Sequence, residues 1–347
     1  MSGVRQHFIP RFLQKGFRIP GNGKVIRSWI YERHRETWPA NIKTIGFEGH
    51  FYAIETEPDL DDKISKAEED YSPLVERLRR GELDGESTRE IPPLLAHFEI
   101  RSRHVRKNME SASVACVSYI MQRLADPMVL APLLRPHLHP DSPAFAKLVV
   151  GHEMVQLVER SIMVRPALLE EALDHIMVNV VPQMFSMQDE LRAQIGQKVK
   201  QSHIRVMMES ISPDRRADRF RSLAYSVKRH ETGDLPLGDS IVLFQVKGRR
   251  QFSTFLDKDD KLIRVVLPLS PDQYLEGMSG SHEDGLDYDL PAEIARCSMD
   301  YFIASSNTPR LIEHRRLIGS NAHWLSEAEV NVLMEEVIQK LLREALN

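Results

Sequence analysis

The sequence predicts an α+β fold, mainly helical, with a small antiparallel sheet built from N-terminal and C-terminal strands. Three observations predict it. Val25, Arg27, Trp29 and Tyr31 alternate with Ile26, Ser28 and Ile30 at the two-residue period of a strand. Ile64, Ala67, Tyr71, Leu74, Val75 and Leu78 recur at the period of an amphipathic helix. The runs 241–246, 251–256 and 262–267 are rich in β-formers and separated by turn residues, the pattern of an antiparallel meander.

Residues 1–60 read as short N-terminal strands. Gly21-Asn22-Gly23 tolerates positive φ and reads as a hairpin turn, 32–36 as the next turn, 37–42 as a return segment and 51–54 as a further strand. Residues 61–220 read as the helical region. Pro92 and Pro93 suit a helix start, and the run to about residue 123 carries one long or kinked helix. Pro127, Pro132, Pro136, Pro140 and Pro143 punctuate a connecting segment, with helices expected at 144–162, 166–185 and 187–211. Met154, Met163, Met177, Met184, Met187, Met207 and Met208 fit adaptable core packing better than a recognition groove.

Residues 221–347 read as antiparallel strands followed by C-terminal helices. Turns fall at 248–250 and 257–261, a mobile loop at 277–282, and helices at 291–303 and 327–346. The last helix opens with Ser326-x-x-Glu329, a capping box in which each side chain satisfies a backbone amide of the other residue. There is no internal repeat and no low-complexity tract, so 1–347 is read as a single domain.

Composition excludes several classes. A formal net charge of -4 rules out a generally basic nucleic-acid binder, so phosphates would have to meet a local patch. Cys116 and Cys297 lie far apart, outside any metal or redox spacing, which fits free thiols in a reducing, cytoplasmic compartment. The opening residues carry no signal-type apolar core, and the apolar run 129–134 is cut by Pro132, so no membrane association is expected.

Familiar motifs fail on their spacing. His152-Glu153 lacks the second histidine of a metalloprotease helix, since position 156 is Gln156. Between Pro136 and Pro140, His137-Leu138-His139 reads as an exposed loop rather than a metal site. Gly277-Met278-Ser279-Gly280 is one residue short of a nucleophile elbow, and Gly21-Asn22-Gly23-Lys24 lacks P-loop spacing. Two basic clusters remain, Arg101, Arg103, Arg106 and Lys107, then Arg215, Arg216, Arg219 and Arg221; each could hold phosphates or form a solvated helix face.

Several blocks together resemble one family. Gln6-His7-Phe8-Ile9-Pro10-Arg11-Phe12-Leu13 with Gly16-Phe17 resembles the opening of a bacterial family known as domain of unknown function 4238. Glu48-Gly49-His50-Phe51-Tyr52, Glu68 with Pro73-Leu74, and Leu95-Ala96-His97-Phe98 resemble its next blocks. Gly238-Asp239-Ser240-Ile241-Val242 and Leu267-Pro268-Leu269-Ser270-Pro271 resemble later ones, although Ser240-Ile241 stands where the family has Asn-Pro. The resemblance runs in order from about residue 6 to about 305. It implies an architecture and a shortlist of positions, and no reaction.

The shortlist is His7, Glu68 and Asp239 as catalytic and metal-binding residues, with Arg101, Arg103 and Arg106 as phosphate-binding residues. An imidazole and two carboxylates meeting in one cleft would hold a divalent metal or act as acid and base, giving a metal-assisted hydrolase of phosphodiesterase or nuclease type. Two other classes stay open. One is a non-catalytic interaction protein, such as a regulator or a defence or toxin-system component, with the Met-rich helices as its partner surface. The other binds a nucleotide or nucleic acid without chemistry, through the basic patch. Each shortlisted residue also has a purely structural reading: His7 locking the first strand, Glu68 pairing with a helix arginine, Asp239 capping a turn.

Overall fold

The computed structural model describes residues 5–21, 23–51, 60–138, 171, 174–186, 188–248, 251–280 and 288–346. Helices dominate, and among the described residues every strand pairing is antiparallel. The mainly helical α+β class is therefore borne out. The single small sheet is not, because among the described residues ten strands divide among three sheets.

The first sheet pairs β1 (Arg5–His7) with β4 (Phe47–Gly49), setting His7 opposite Phe47. The second does join the two ends of the chain. Its order is β3 (Trp38–Asn41), β2 (Arg27–Glu32), β10 (Tyr301–Ala304), β6 (Leu237–Gly238). The third runs β5 (Ala224–Arg229), β9 (Gln273–Met278), β8 (Leu262–Ser270), β7 (Leu243–Val246).

The helices are α1 (Arg11–Gln14), α2 (Leu60–Arg79), α3 (Gly85–Arg101), α4 (Arg103–Leu124) and α5 (Pro127–Leu138). They continue with α6 (Val181–Ser186), α7 (Gln188–Glu209), α8 (Asp214–Arg221), α9 (Leu290–Cys297), α10 (Pro309–His314) and α11 (Glu327–Leu346).

Several local expectations need correction. Pro92 and Pro93 lie inside α3, which starts at Gly85 because the Asp84 carboxylate accepts the Ser87 amide and caps it. The expected long helix breaks at Ser102, whose extended backbone separates α3 from α4. Pro127, Pro132 and Pro136 belong to α5 rather than to a connection. Residues 251–256 form only an isolated bridge, Phe244 to Ser253, and Gly277 and Met278 end strand β9 instead of opening a loop. The helix expected at 291–303 stops at Cys297, and the apolar run from Tyr301 becomes a strand flanked on both sides; periodicity cannot separate these choices in so short a run. Of the strand expected at 51–54, only Phe51 is described, in a turn; the 144–162 helix and most of 166–185 lie outside the described residues.

The chain forms two compact units. Unit 1 comprises 1–108 and 199–324; unit 2 comprises 109–198 and 325–347. In unit 2, α11 packs on α5, and Glu335 accepts from Tyr119 (2.5 Å) and Arg123 (3.0 and 3.1 Å). The capping box forms as expected: Glu329 N–H donates to Ser326 Oγ, and Ser326 N–H to Glu329 Oε2.

In unit 1 the N-terminal segment is core. Phe8, Ile9, Leu13 and Phe17 are at most 1% exposed and join the same cluster as Leu74, Leu95, Phe98 and Leu269. Arg79, at the end of α2, holds this segment down. Its guanidinium donates to the carbonyls of Phe12 (3.1 Å), Leu13 (2.9 Å) and Leu269 (2.8 Å). Gly16 is what allows the approach, since a Cβ there would lie 2.3 Å from both Arg79 Nη2 and Leu269 O. Gly16→Ala should therefore cost about 1–3 kcal/mol, read as a lowered urea midpoint with unchanged slope; wild-type stability would show that this contact does not fix the segment.

Candidate functional site

The shortlisted residues belong to one polar network in unit 1, buried at Arg101, Arg106 and Asp239 and part-exposed at Glu68 and Arg103, organised by arginines of α3 and α4. Arg101 is the largest fully buried side chain among the described residues. Its Nη2 donates to the His7 carbonyl (2.5 Å) and pairs with Glu68 Oε1 (2.7 Å), and its Nη1 lies 3.0 Å from His97 Nε2. His97 sits one helical turn before Arg101, where spacing of four brings the side chains together. Its Nδ1 is 2.8 Å from the Ile211 carbonyl, so Nδ1–H donates there and Nε2 accepts from Arg101. Burial, then the Arg101 charge, push the imidazole down to about 3, which keeps it neutral.

Arg106 repeats the arrangement. Its Nη2 donates to the Phe51 carbonyl (2.6 Å), its guanidinium lies 3.7 Å over the Phe51 ring, and its Nε donates to His203 Nδ1 (3.4 Å). His203 Nε2–H donates to the Ile100 carbonyl (2.7 Å), and burial with the Arg106 charge holds the ring down near 4. Two buried arginines thus each meet a neutral histidine whose other nitrogen is fixed by a backbone carbonyl.

Arg103 lies between them. It pairs with Glu48 Oε2 (3.1 Å) and Asp300 Oδ2 (2.8 Å), while Lys107 reaches both Asp300 oxygens (2.7 and 2.6 Å). Asp239 joins the network indirectly. Its carboxylate accepts the amides of Met299 (2.7 Å), Asp300 (2.8 Å) and Tyr301 (3.4 Å), fixing the turn that presents Asp300. Burial, reinforced by the Asp300 charge, raises Asp239 to about 6. The next residues form a tight turn in which Val242 N–H donates to Ser240 O (2.8 Å) around Ile241 at φ 67°. A β-branched residue is strained there.

The three residues proposed to share a cleft are placed differently. His7 reaches Arg101 through its backbone carbonyl, while its ring packs 5.9 Å from Phe47. Glu68 pairs with Arg101 and also lines an open 570 Å³ groove with Arg11, Lys15 and Glu69. Asp239 is buried, its carboxylate held on backbone amides. Neither His7 nor Asp239 lines that groove. Among the described residues, no group of three or more His, Cys, Asp or Glu side chains is arranged to hold a metal ion. Arg101, Arg103 and Arg106, expected to bind phosphates, meet carboxylates and carbonyls of this chain. In the second basic cluster, Arg216 and Arg219 donate to carbonyls of Leu256, Asp257 and Asp260.

Glu48, His97, His203 and Asp300 were absent from the shortlist. Spacing alone could have supplied His97, four residues before Arg101. Nothing local marks His203 or Asp300, because their partners lie about a hundred or more residues away.

Two outcomes follow. Arg101→Met leaves the His7 carbonyl and His97 Nε2 without their donor, and should lower unfolding free energy by about 3 kcal/mol or more; unchanged denaturation curves would refute the tie. The pH response follows from linkage. His97 and His104 (both about 3) and His203 (about 4) stay neutral in the fold but take up protons once unfolded below their ordinary value of 6.5. Glu99 (about 7) and Asp239 (about 6) oppose this by holding protons that the unfolded chain releases. Three histidines outweigh two acids, so stability should fall from pH 6.5 toward pH 5, by about 1.4 kcal/mol per pH unit for the one net proton. A flat profile, or a rise toward pH 5, would contradict this balance.

No curated protein and no solved structure gives a significant match. The family model described as "Protein of unknown function (DUF4238)" matches residues 5–128, which hold His7, Glu48, Glu68, His97 and the three arginines.

Proposed function

We propose that the chain is a non-catalytic interaction protein: the residues of the shared motif hold unit 1 together, and unit 2 supplies an apolar helix face to a partner. One observation carries this reading over the metal-assisted hydrolase. The motif's arginines and carboxylates are committed to one another and to backbone groups, with Arg101 fully buried on His7, Glu68 and His97. A hydrolase of the expected kind needs His7, Glu68 and Asp239 around one reacting centre, and a phosphate site needs arginines free to turn outward.

The partner face is supported by α11. Val330 and Ile338 are buried, whereas Leu333, Val337 and Leu341, four residues apart, are 46%, 47% and 46% exposed. That spacing forms one continuous ridge, the form in which amphipathic helices meet apolar grooves or other helices. Of the methionines expected to make such a surface, Met207 is fully buried in unit 1, while Met154, Met163 and Met187 lie outside the described residues. The unpaired Cys116 and Cys297 support a reducing, cytoplasmic setting. Among the described residues no helix is long and apolar enough to cross a membrane.

Two measurements test the reading. With Mg²⁺ or Mn²⁺ and DNA, RNA or nucleotides, the purified protein should show no turnover; cleavage lost in both His7→Ala and Asp239→Ala would overturn the proposal. A photo-crosslinker at position 337, used in cells, should give a discrete adduct that disappears in Leu333→Asp/Leu341→Asp with unchanged circular dichroism. An adduct indifferent to those substitutions would remove the assigned face.

A further inference from the structure

A second feature of unit 1 lies outside the arginine network and is independent of the partner-face reading. A 340 Å³ pocket opens between the loop 251–257 and the segment 321–324. Its wall is aromatic: the Phe255 and Trp324 rings stack at 4.0 Å with 29° between their planes. The Arg216 guanidinium lies 4.4 Å over Phe255. Two groups this close to one ring centre require opposite faces, so Phe255 is sandwiched and Trp324 ends the stack. Asp257, Asn321 and His323 complete the lining.

Both walls are held in place before any ligand arrives. Trp324 N–H donates to Asn108 Oδ1 (2.9 Å), and Asn108 Nδ2 donates to the Ala322 carbonyl (3.1 Å), so α4 fixes the segment carrying the indole. Opposite, Phe252 is 1% exposed, its amide donates to Glu293, and its carbonyl accepts from Asn321 and Cys297. The pocket therefore requires little ordering on binding, which favours affinity for a small molecule.

The polar groups specify the ligand. Asp257 lines the same pocket and supplies only acceptors when ionised. A stacking platform and one carboxylate together match a flat heteroaromatic ring bearing an exocyclic amine. The carboxylate disfavours an anionic ring.

We infer that this pocket binds an uncharged, amino-substituted N-heteroaromatic ring of the nucleobase type, stacked on Trp324, with its amine toward Asp257. Such a ring reaches the pocket as a free nucleoside or as a base of a single strand.

The full-length chain is titrated, by calorimetry and tryptophan fluorescence, with adenosine, cytidine and guanosine, with uridine as the ring lacking the amine, and with short single-stranded oligonucleotides. Saturable binding of at least one amino base below about 1 mM is expected, with uridine weaker. Trp324→Leu and Asp257→Asn should each weaken it about tenfold or more, with circular dichroism unchanged. Binding of the oligonucleotide alone, lost in the same variants, would support the site with a strand as the source. No saturable binding of nucleoside or strand, equal binding of uridine, or full binding by both variants would overturn the assignment. Because none of these readings involves α11, failure here is distinguishable from failure of the partner-face proposal.

Discussion

A guanidinium at the centre of a hydrophobic core is costly unless every donor it offers is matched, and the fold of unit 1 is arranged around that requirement at Arg101. The cation cannot shed its proton, so the core has to supply acceptors. It takes them from two distant stretches of chain and from its own helix: the His7 carbonyl on β1, the Glu68 carboxylate on α2, and His97 one turn earlier on α3. Each acceptor fixes the element that carries it, and losing one leaves a buried polar group unpaired. The penalty that makes Arg101 improbable as a core residue is also what makes its neighbourhood specific.

The same reasoning accounts for the histidines. A protonated imidazole beside a buried guanidinium would place like charges together in a medium that screens them poorly. His97 and His203 avoid this by staying neutral, each donating one ring hydrogen to a carbonyl and turning its lone pair to an arginine. Asp239 solves a related problem on the other side. It gathers the amides at the start of β10, so that Asp300 can meet Arg103 and Lys107. The strained φ of Ile241, two residues on, sits in the turn that carries Asp239 into place.

How much of this was legible in the sequence depends on distance along the chain. Helices whose caps and periodicity are local, such as Glu327–Leu346 with Ser326 and Glu329, could be read directly. The run at 301–304 could not, because its becoming a strand depends on Tyr31 and Gly238 as flanking partners. The short helix at Arg11–Gln14 likewise interrupts a segment read as strand, its Pro10 carbonyl accepting the Leu13 and Gln14 amides. Within the candidate site, the block order marked His7, Glu68 and Asp239 as positions of interest, and the structural reading of Glu68 with a helix arginine describes its place. Convergence into one metal cleft was an added assumption. Nothing in the residue types distinguishes a carboxylate that binds a cation from one that binds amides or a guanidinium; only the fold decides it.

The most direct test of the account is an NMR titration of the His97 and His203 rings in the intact protein. If the arginines are held by neutral histidines, His97 is the Nδ1–H tautomer, His203 is the Nε2–H tautomer, and neither protonates above about pH 5. Protonation of either ring near its ordinary value of 6.5, or free exchange between tautomers, would contradict the claim that the motif residues are committed to the fold.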